Sequence, residues 1–193
     1  MDFKQRILEA AAKVYAEVGY RGATTRRIAA MAGCNELTLF RHFGSKATLI
    51  HEAVACCGPE SKLFPLPDEP VDPQAEIRSW ASMHFENIRT HAAMIRTTIG
   101  ELEEHPELVR PSDPYSLAYG QLATYVARLQ ATGRADTAID PMAASALLLN
   151  TMLLNGIMRD VMPNVITNPP ELDLDNFIRL FLRGIGAQEP VQA

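Results

Sequence analysis

The sequence predicts an all-α protein in two parts: an N-terminal three-helix helix-turn-helix domain within residues 1–57, and a larger C-terminal helical domain, 58–193. Three observations support this. Apolar residues recur at three- and four-residue spacing along most of the chain, and no stretch sustains the alternation of a half-buried strand. Helix start and stop residues punctuate that pattern. Between Gly58 and Pro73 the composition turns proline-rich and acidic, which reads as a linker or loose turn.

In the first 57 residues the pattern gives four helices with very short connections. Ile7, Leu8, Ala11, Tyr15 and Val18 form one stripe, which Gly19 ends. Thr24 or Thr25 caps a second helix that turns Ile28, Ala29 and Ala32 inward and stops at Gly33. Asn35 caps the short segment Cys34–Phe43, "CNELTLFRHF", in which Leu39 and Phe43 pack inward while Glu36, Thr38, Arg41 and His42 face out. Ser45 caps a fourth helix with Leu49, Ile50, Ala53, Val54 and Cys57 on its apolar face.

Beyond the linker, Asp-Pro occurs at 72–73, 113–114 and 140–141. Each pair suits a helix start, with Asp as N-cap and Pro where no amide donor is needed. The helix from Pro73 aligns Ile77, Trp80, Ala81, His84 and Ile88, and a shorter one follows with Ala92, Ile95 and Ile99. The helix from Pro114 carries Ala118, Leu122, Tyr125, Val126 and Leu129. That from Pro141 is apolar nearly all round, which asks for burial on several sides. The last aligns Leu174, Phe177, Ile178, Phe181, Leu182 and Ile185, with Asp173 and Asp175 near its start and Arg183 near its end, matching the helix dipole.

Composition sets the class. Of 193 residues, 47% are hydrophobic, so the chain buries a core. Cys34, Cys56 and Cys57 have neither disulfide-framework nor metal-ligand spacing and read as reduced thiols, with a redox-responsive role as the alternative. Met1 leads directly into a charged helical pattern, not a signal peptide. The run Ala143–Met158 is broken by Asn150, Thr151 and Asn155, short of the roughly 20 apolar residues of a bilayer span. The expectation is a soluble, cytoplasmic protein without a membrane partner. Net charge is −5, but residues 1–57 hold 8 Lys+Arg against 5 Asp+Glu, while the remainder holds 10 against 18. Only the N-terminal part would attract a polyanion.

Two short helices joined by a tight Gly-containing turn, with a third behind them, form a helix-turn-helix, whose second helix enters the major groove of duplex DNA. Thr25, Arg26, Arg27 and Lys46 flank it with hydroxyl and cationic groups suited to phosphates. The string "TTRRIAAMAGCNELTLFRHFGSKATLI", Thr24–Ile50, strongly resembles the tetracycline-repressor (TetR) family of bacterial regulators. The shared elements are Gly-Tyr ending the first helix, the Thr-Thr-Arg start, Ala-Gly at the turn, and Thr-Leu-Phe-Arg-His-Phe before Gly-Ser-Lys. The resemblance covers residues 3–55; the rest matches in architecture alone.

The resemblance implies that Thr25, Thr38 and Lys46 bind phosphates, that Arg26 reaches a base edge, and that Asn35 belongs to the same contact region. His42 falls at the family's usual histidine, and Phe40 stands where tyrosine is common, removing one hydroxyl. Glu36 stands at a base-facing position where a basic or amide residue is more usual. It either accepts from a cytosine amino group or is favoured only by the helix dipole. Arg41 and His42 are each either DNA contacts or solvent-facing residues.

For the larger domain the resemblance implies dimerisation and small-molecule sensing. The apolar surface of the Pro141 helix and the last helix supports a four-helix bundle with a second copy, built on Leu148, Met152, Phe177, Phe181 and Ile185. Trp80, Met83, His84, Met94, Tyr115, Tyr119, Tyr125, Asn150 and Met152 would line a site for a largely apolar effector; plain core is the alternative for each. The run Glu101, Glu103, Glu104, His105 reads as a solvated loop and not as a metal site. No phosphate loop, nucleophile elbow or HExxH motif points to an enzyme, and no cofactor is required. The expectation is a ligand-responsive homodimeric repressor on a pseudo-palindromic operator, with a ligand-independent or redox-responsive regulator, or a helical protein-interaction module, as alternatives.

Overall fold

The computed structural model describes residues 2–56, 65–110 and 113–187; Cys57 and residues 58–64 of the expected linker lie outside them. Among the described residues there are nine α-helices, one 3-10 turn and no strand: α1 Phe3–Gly22, α2 Thr25–Ala32, α3 Glu36–Phe43, α4 Lys46–Cys56, α5 Pro73–Thr90, α6 Ala92–Glu101, the 3-10 turn Pro106–Leu108, α7 Pro114–Ala131, α8 Pro141–Met158 and α9 Pro170–Gly184. The described residues form two compact units, one of those within 1–61 and 91–114, the other of those within 62–90 and 115–193.

Three helices of the first unit start at side-chain caps. The Thr24 hydroxyl accepts from the Arg27 amide and starts α2, and the Asn35 side chain accepts from the Thr38 amide and starts α3. Ser45 Oγ accepts from the Thr48 amide and starts α4. Gly33, at φ 68°, ψ 40°, ends α2 in the left-handed region that favours glycine. Gly19, at φ 68°, ψ −177°, kinks α1, so the expected helix does stop there and a single further turn follows.

Its core gathers Ile7, Ala11, Val14 and Tyr15 of α1, Ile28 and Ala32 of α2, Leu39 and Phe43 of α3, and Leu49, Ile50 and Ala53 of α4. Met94 and Leu108 join the same core. The unit is therefore larger than the 1–57 expected from composition, because α6 and the turn after it cover apolar faces of α1 and α4 that would otherwise meet water. Met94 is correspondingly a core residue here and does not join the other proposed effector contacts, which belong to the second unit.

The second unit packs α5 against α8 and α9, and α8 against α9. Asp72 and Asp140 cap α5 and α8 as expected, accepting from the Ala75 and Ala143 amides. Residues 65–72 are not a loose turn: Arg128 donates to the Pro67 carbonyl and pairs with Asp68, and Arg134 donates to the Pro70 and Val71 carbonyls. Two guanidinium forks thus satisfy backbone acceptors that a proline-rich segment cannot pair within itself.

At Gly156 the backbone of α8 approaches α5 so closely that a Cβ would lie 2.6 Å from Ile88 Cγ2. By length and composition alone α8 is apolar enough to cross a bilayer, contrary to the expectation that it falls short. Nor is it buried all round. Leu148, Leu149 and Met152 face the unit's core, while Leu147 and Leu154 are 66% and 61% exposed.

Candidate nucleic-acid interface

The helix-turn-helix is built from α2 and α3. A stripe of Leu39 and Phe43 pins α3 to the core, which an eight-residue helix requires because nucleation costs more than its own hydrogen bonds return. The opposite side is open. Leu37, Phe40, Arg41 and His42 are exposed on α3, as are Arg26 and Arg27 on the first turn of α2. Among the described residues, the side chains of Arg26, Arg27 and Arg41 make no ion pair or hydrogen bond, so three guanidinium groups are available to an anionic partner.

The hydroxyl-bearing and acidic positions are engaged within the protein. Thr25 Oγ1 donates to Glu36 Oε2 at 2.6 Å. Asn35 Oδ1 accepts from both the amide and the hydroxyl of Thr38, at 2.9 and 2.8 Å. Lys46 is half-buried: its ammonium donates to the Tyr20 carbonyl and sits 4.1 Å from the centroid of the Tyr20 ring. Burial pushes the Lys46 pKa down, with the nearby Glu101 carboxylate opposing that shift. His42 lies against Phe3 and Phe43, at ring separations of 5.8 and 6.1 Å.

One corner of this unit was not legible beforehand. The Glu101 carboxylate accepts from the Tyr20 amide at 3.0 Å, the Tyr20 ring stacks on His105 at 3.9 Å, and Glu104 pairs with Arg21 at 2.9 Å. Glu103 and Glu104 are exposed as expected of a solvated loop, whereas Glu101, in α6, and His105 hold the end of α1. The signal for this contact in the sequence was Gly19-Tyr20-Arg21, whose aromatic and cationic side chains match a Glu-rich segment ending in His105. His51 of α4, buried, is 3.2 Å from the Asp113 carboxylate.

Residues 7–53 match the model of the bacterial regulatory proteins of the tetR family. This N-terminal segment is similar to the TetR family. Over 46 residues it is 46% identical to the HTH-type transcriptional repressor AcnR of Corynebacterium glutamicum, a match covering 24% of each protein, so the chain spans about a quarter of the length of that relative. Solved structures share the fold across nearly the whole chain. SmeT, the repressor of the Stenotrophomonas maltophilia multidrug efflux pump SmeDEF, superposes with a TM-score of 0.75 at 19% identity, covering 98% of this chain and 93% of SmeT. A complex of SmeT with triclosan gives a TM-score of 0.69 at 17% identity, covering 99% and 94%.

In the second unit the remaining residues proposed for an effector fall on α5, α7 and α8. The Trp80 and His84 rings are 4.3 Å apart, and Trp80 Nε1 donates to Gln121 at 3.4 Å. His84 is 4% exposed, its Nε2 has no hydrogen-bond partner, and burial lowers its pKa to about 4. Tyr115 and Tyr119 share a hydroxyl contact of 3.1 Å, and Tyr119 donates onward to Asn150. Burial and the Tyr119 hydroxyl raise the Tyr115 pKa. Tyr125 donates to Glu76, whose other oxygen accepts from the Val71 and Asp72 amides. Met83 is half-buried and Met152 fully buried.

The residues expected at a dimer interface need correcting. Leu148, Met152, Phe181 and Ile185 are buried within the single chain, and Phe177 is half-buried. The apolar side chains that α8 and α9 expose are instead Met142, Leu147 and Leu154, and Leu172 and Leu180. Periodicity identifies both faces of such helices but not which one the chain uses for its own core.

Proposed function

We propose that this chain is a TetR-family, cytoplasmic DNA-binding transcriptional repressor that acts as a homodimer and is released from its operator by a small, largely apolar molecule. The observation that carries the DNA-binding reading is the exposed set Arg26, Arg27 and Arg41 around a helix-turn-helix pinned from behind by Leu39 and Phe43. Such a helix fits the major groove, and unpaired guanidinium groups suit phosphates and guanine edges. The match to AcnR, a repressor, supports the same reading.

Dimerisation is supported by Leu147, Leu154 and Leu180, each more than 60% exposed on two helices of one unit. A patch of that kind on a soluble protein marks an interface. Effector binding is supported by the buried, unpartnered His84 Nε2 beside Trp80, and by the likeness to SmeT, which has been solved with triclosan. A neutral imidazole offers one hydrogen bond in an apolar setting, which suits an uncharged ligand. Coupling of about 1–3 kcal/mol between the two sites would suffice for release.

The test is a titration of fluorescent DNA fragments flanking the protein's own gene with wild type and with Arg26→Ala/Arg41→Ala, at two salt concentrations. Tight, fragment-selective binding that weakens with salt and disappears in the variant is expected. Uniform weak binding by both proteins would overturn the reading. The best fragment then serves as the probe for ligands that release it.

A further inference from the structure

The open face of α3 is apolar where a groove-reading helix is usually polar. Leu37 is 60% exposed and Phe40 47%. Three- and four-residue spacing places Leu37, Phe40 and Arg41 on one face, opposite Leu39 and Phe43 in the core. The polar side chains of the first turn are already engaged, Glu36 with Thr25 and Thr38 with Asn35. What this helix presents outward is therefore two bare hydrocarbon groups beside the Arg41 guanidinium, with His42 exposed nearer its end.

A protein partner would also cover apolar groups, but the surroundings favour a polyanion. Residues 1–57 carry 8 basic against 5 acidic residues, and the exposed Arg41 of α3 and Arg26 and Arg27 of the neighbouring α2 have no side-chain partners among the described residues. In the major groove the apolar feature on a base edge is the C5-methyl group of thymine, and no hydrogen-bonding group can read it.

We propose that Leu37 and Phe40 are specificity-determining residues that read thymine methyl groups in the major groove, with Arg41 beside them making the polar contact. This rests on the reading of α3 as the recognition helix. The operator half-site accordingly holds at least one thymine opposite Leu37, and a cytosine there is discriminated against by the missing methyl group.

The experiment alters the DNA and leaves the protein intact. In the best-bound operator fragment each thymine is replaced in turn by deoxyuridine, which lacks only the methyl group, and affinity is measured for wild type, Leu37→Ala and Phe40→Ala. A loss of about fourfold per contacted methyl is expected for wild type, the burial of one apolar carbon. That loss should vanish at one position in Leu37→Ala and at another in Phe40→Ala. Selective wild-type binding that is indifferent to every deoxyuridine would overturn the proposal while leaving the DNA-binding reading in place. Absence of selective binding to any fragment would overturn both.

Discussion

The Thr25 hydroxyl donates to the Glu36 carboxylate at 2.6 Å and ties the first turn of α2 to the first turn of α3. A hydrogen bond to a charged acceptor is among the stronger ones, and an acid at the N-terminus of α3 also gains from the helix dipole. Glu36→Ala is expected to cost about 1–2 kcal/mol, a fall of several degrees in Tm, while leaving operator base preference unchanged. Thermal melting and operator selection on the same variant check both halves. A changed base preference would return Glu36 to the role of base reader.

Lys46 and Arg26 should separate in a salt titration. Lys46 is held by the Tyr20 carbonyl and ring, whereas Arg26 is exposed. Arg26→Ala is expected to reduce the slope of log affinity against log salt by about one, the signature of one phosphate contact. Lys46→Ala is expected to leave that slope alone and to lower stability by about 1 kcal/mol.

Gly19 should tolerate no side chain. Its φ of 68° with ψ of −177° is a glycine-only conformation, and a Cβ would lie 2.8 Å from Glu101 Oε1. Gly19→Ala is expected to destabilise the first unit by about 1–3 kcal/mol, read as a lower Tm. Gly100→Ala, where a Cβ meets open space within helical backbone, serves as the control and should be neutral or stabilising.

His84 gives the second unit an acid sensitivity. Its pKa falls from 6.5 to about 4 on burial, so the folded protein keeps it neutral. Between those values the unfolded chain binds more protons, and stability is lost as pH falls through the window. The loss approaches about 3 kcal/mol by pH 4. His84→Gln, which has no such titration, should show a smaller drop in Tm between pH 7 and pH 4.5 than wild type does.

The exposed and buried leucines of α8 should behave in opposite ways. Leu147→Glu with Leu154→Glu is expected to leave circular dichroism unchanged and to give a monomer in sedimentation. Leu148→Glu places a charge in the core beside Leu149 and Met152 and should unfold the second unit instead. A Leu147/Leu154 variant that still sediments as a dimer would move the interface elsewhere.

The helices of this protein were legible because local signals and the apolar period agree. Thr24, Asn35, Ser45, Asp72 and Asp140 cap where their residue types and positions say they should, and Leu39 and Phe43 face inward as their spacing requires. The helix-turn-helix segment was legible too, since its residues are contiguous. Partners distant in sequence were not. Nothing local told that Glu101 would take the Tyr20 amide, or that Arg128 and Arg134 would hold the 65–72 segment. Likewise nothing local told that Met94 belongs to the core of the first unit.

The sequence alone therefore determined where helices begin and end, which of them form the helix-turn-helix, and that the basic charge is concentrated there. Only the tertiary structure decided which apolar face of α8 and α9 is used up at home. It also decided which polar groups near α3 are already engaged. The reason is physical: capping and periodicity act within a few residues of each other, whereas burial and pairing depend on which distant segment arrives opposite. Leu147 and Leu148 are neighbours of identical chemistry, and one lies at 66% exposure and the other at 2%.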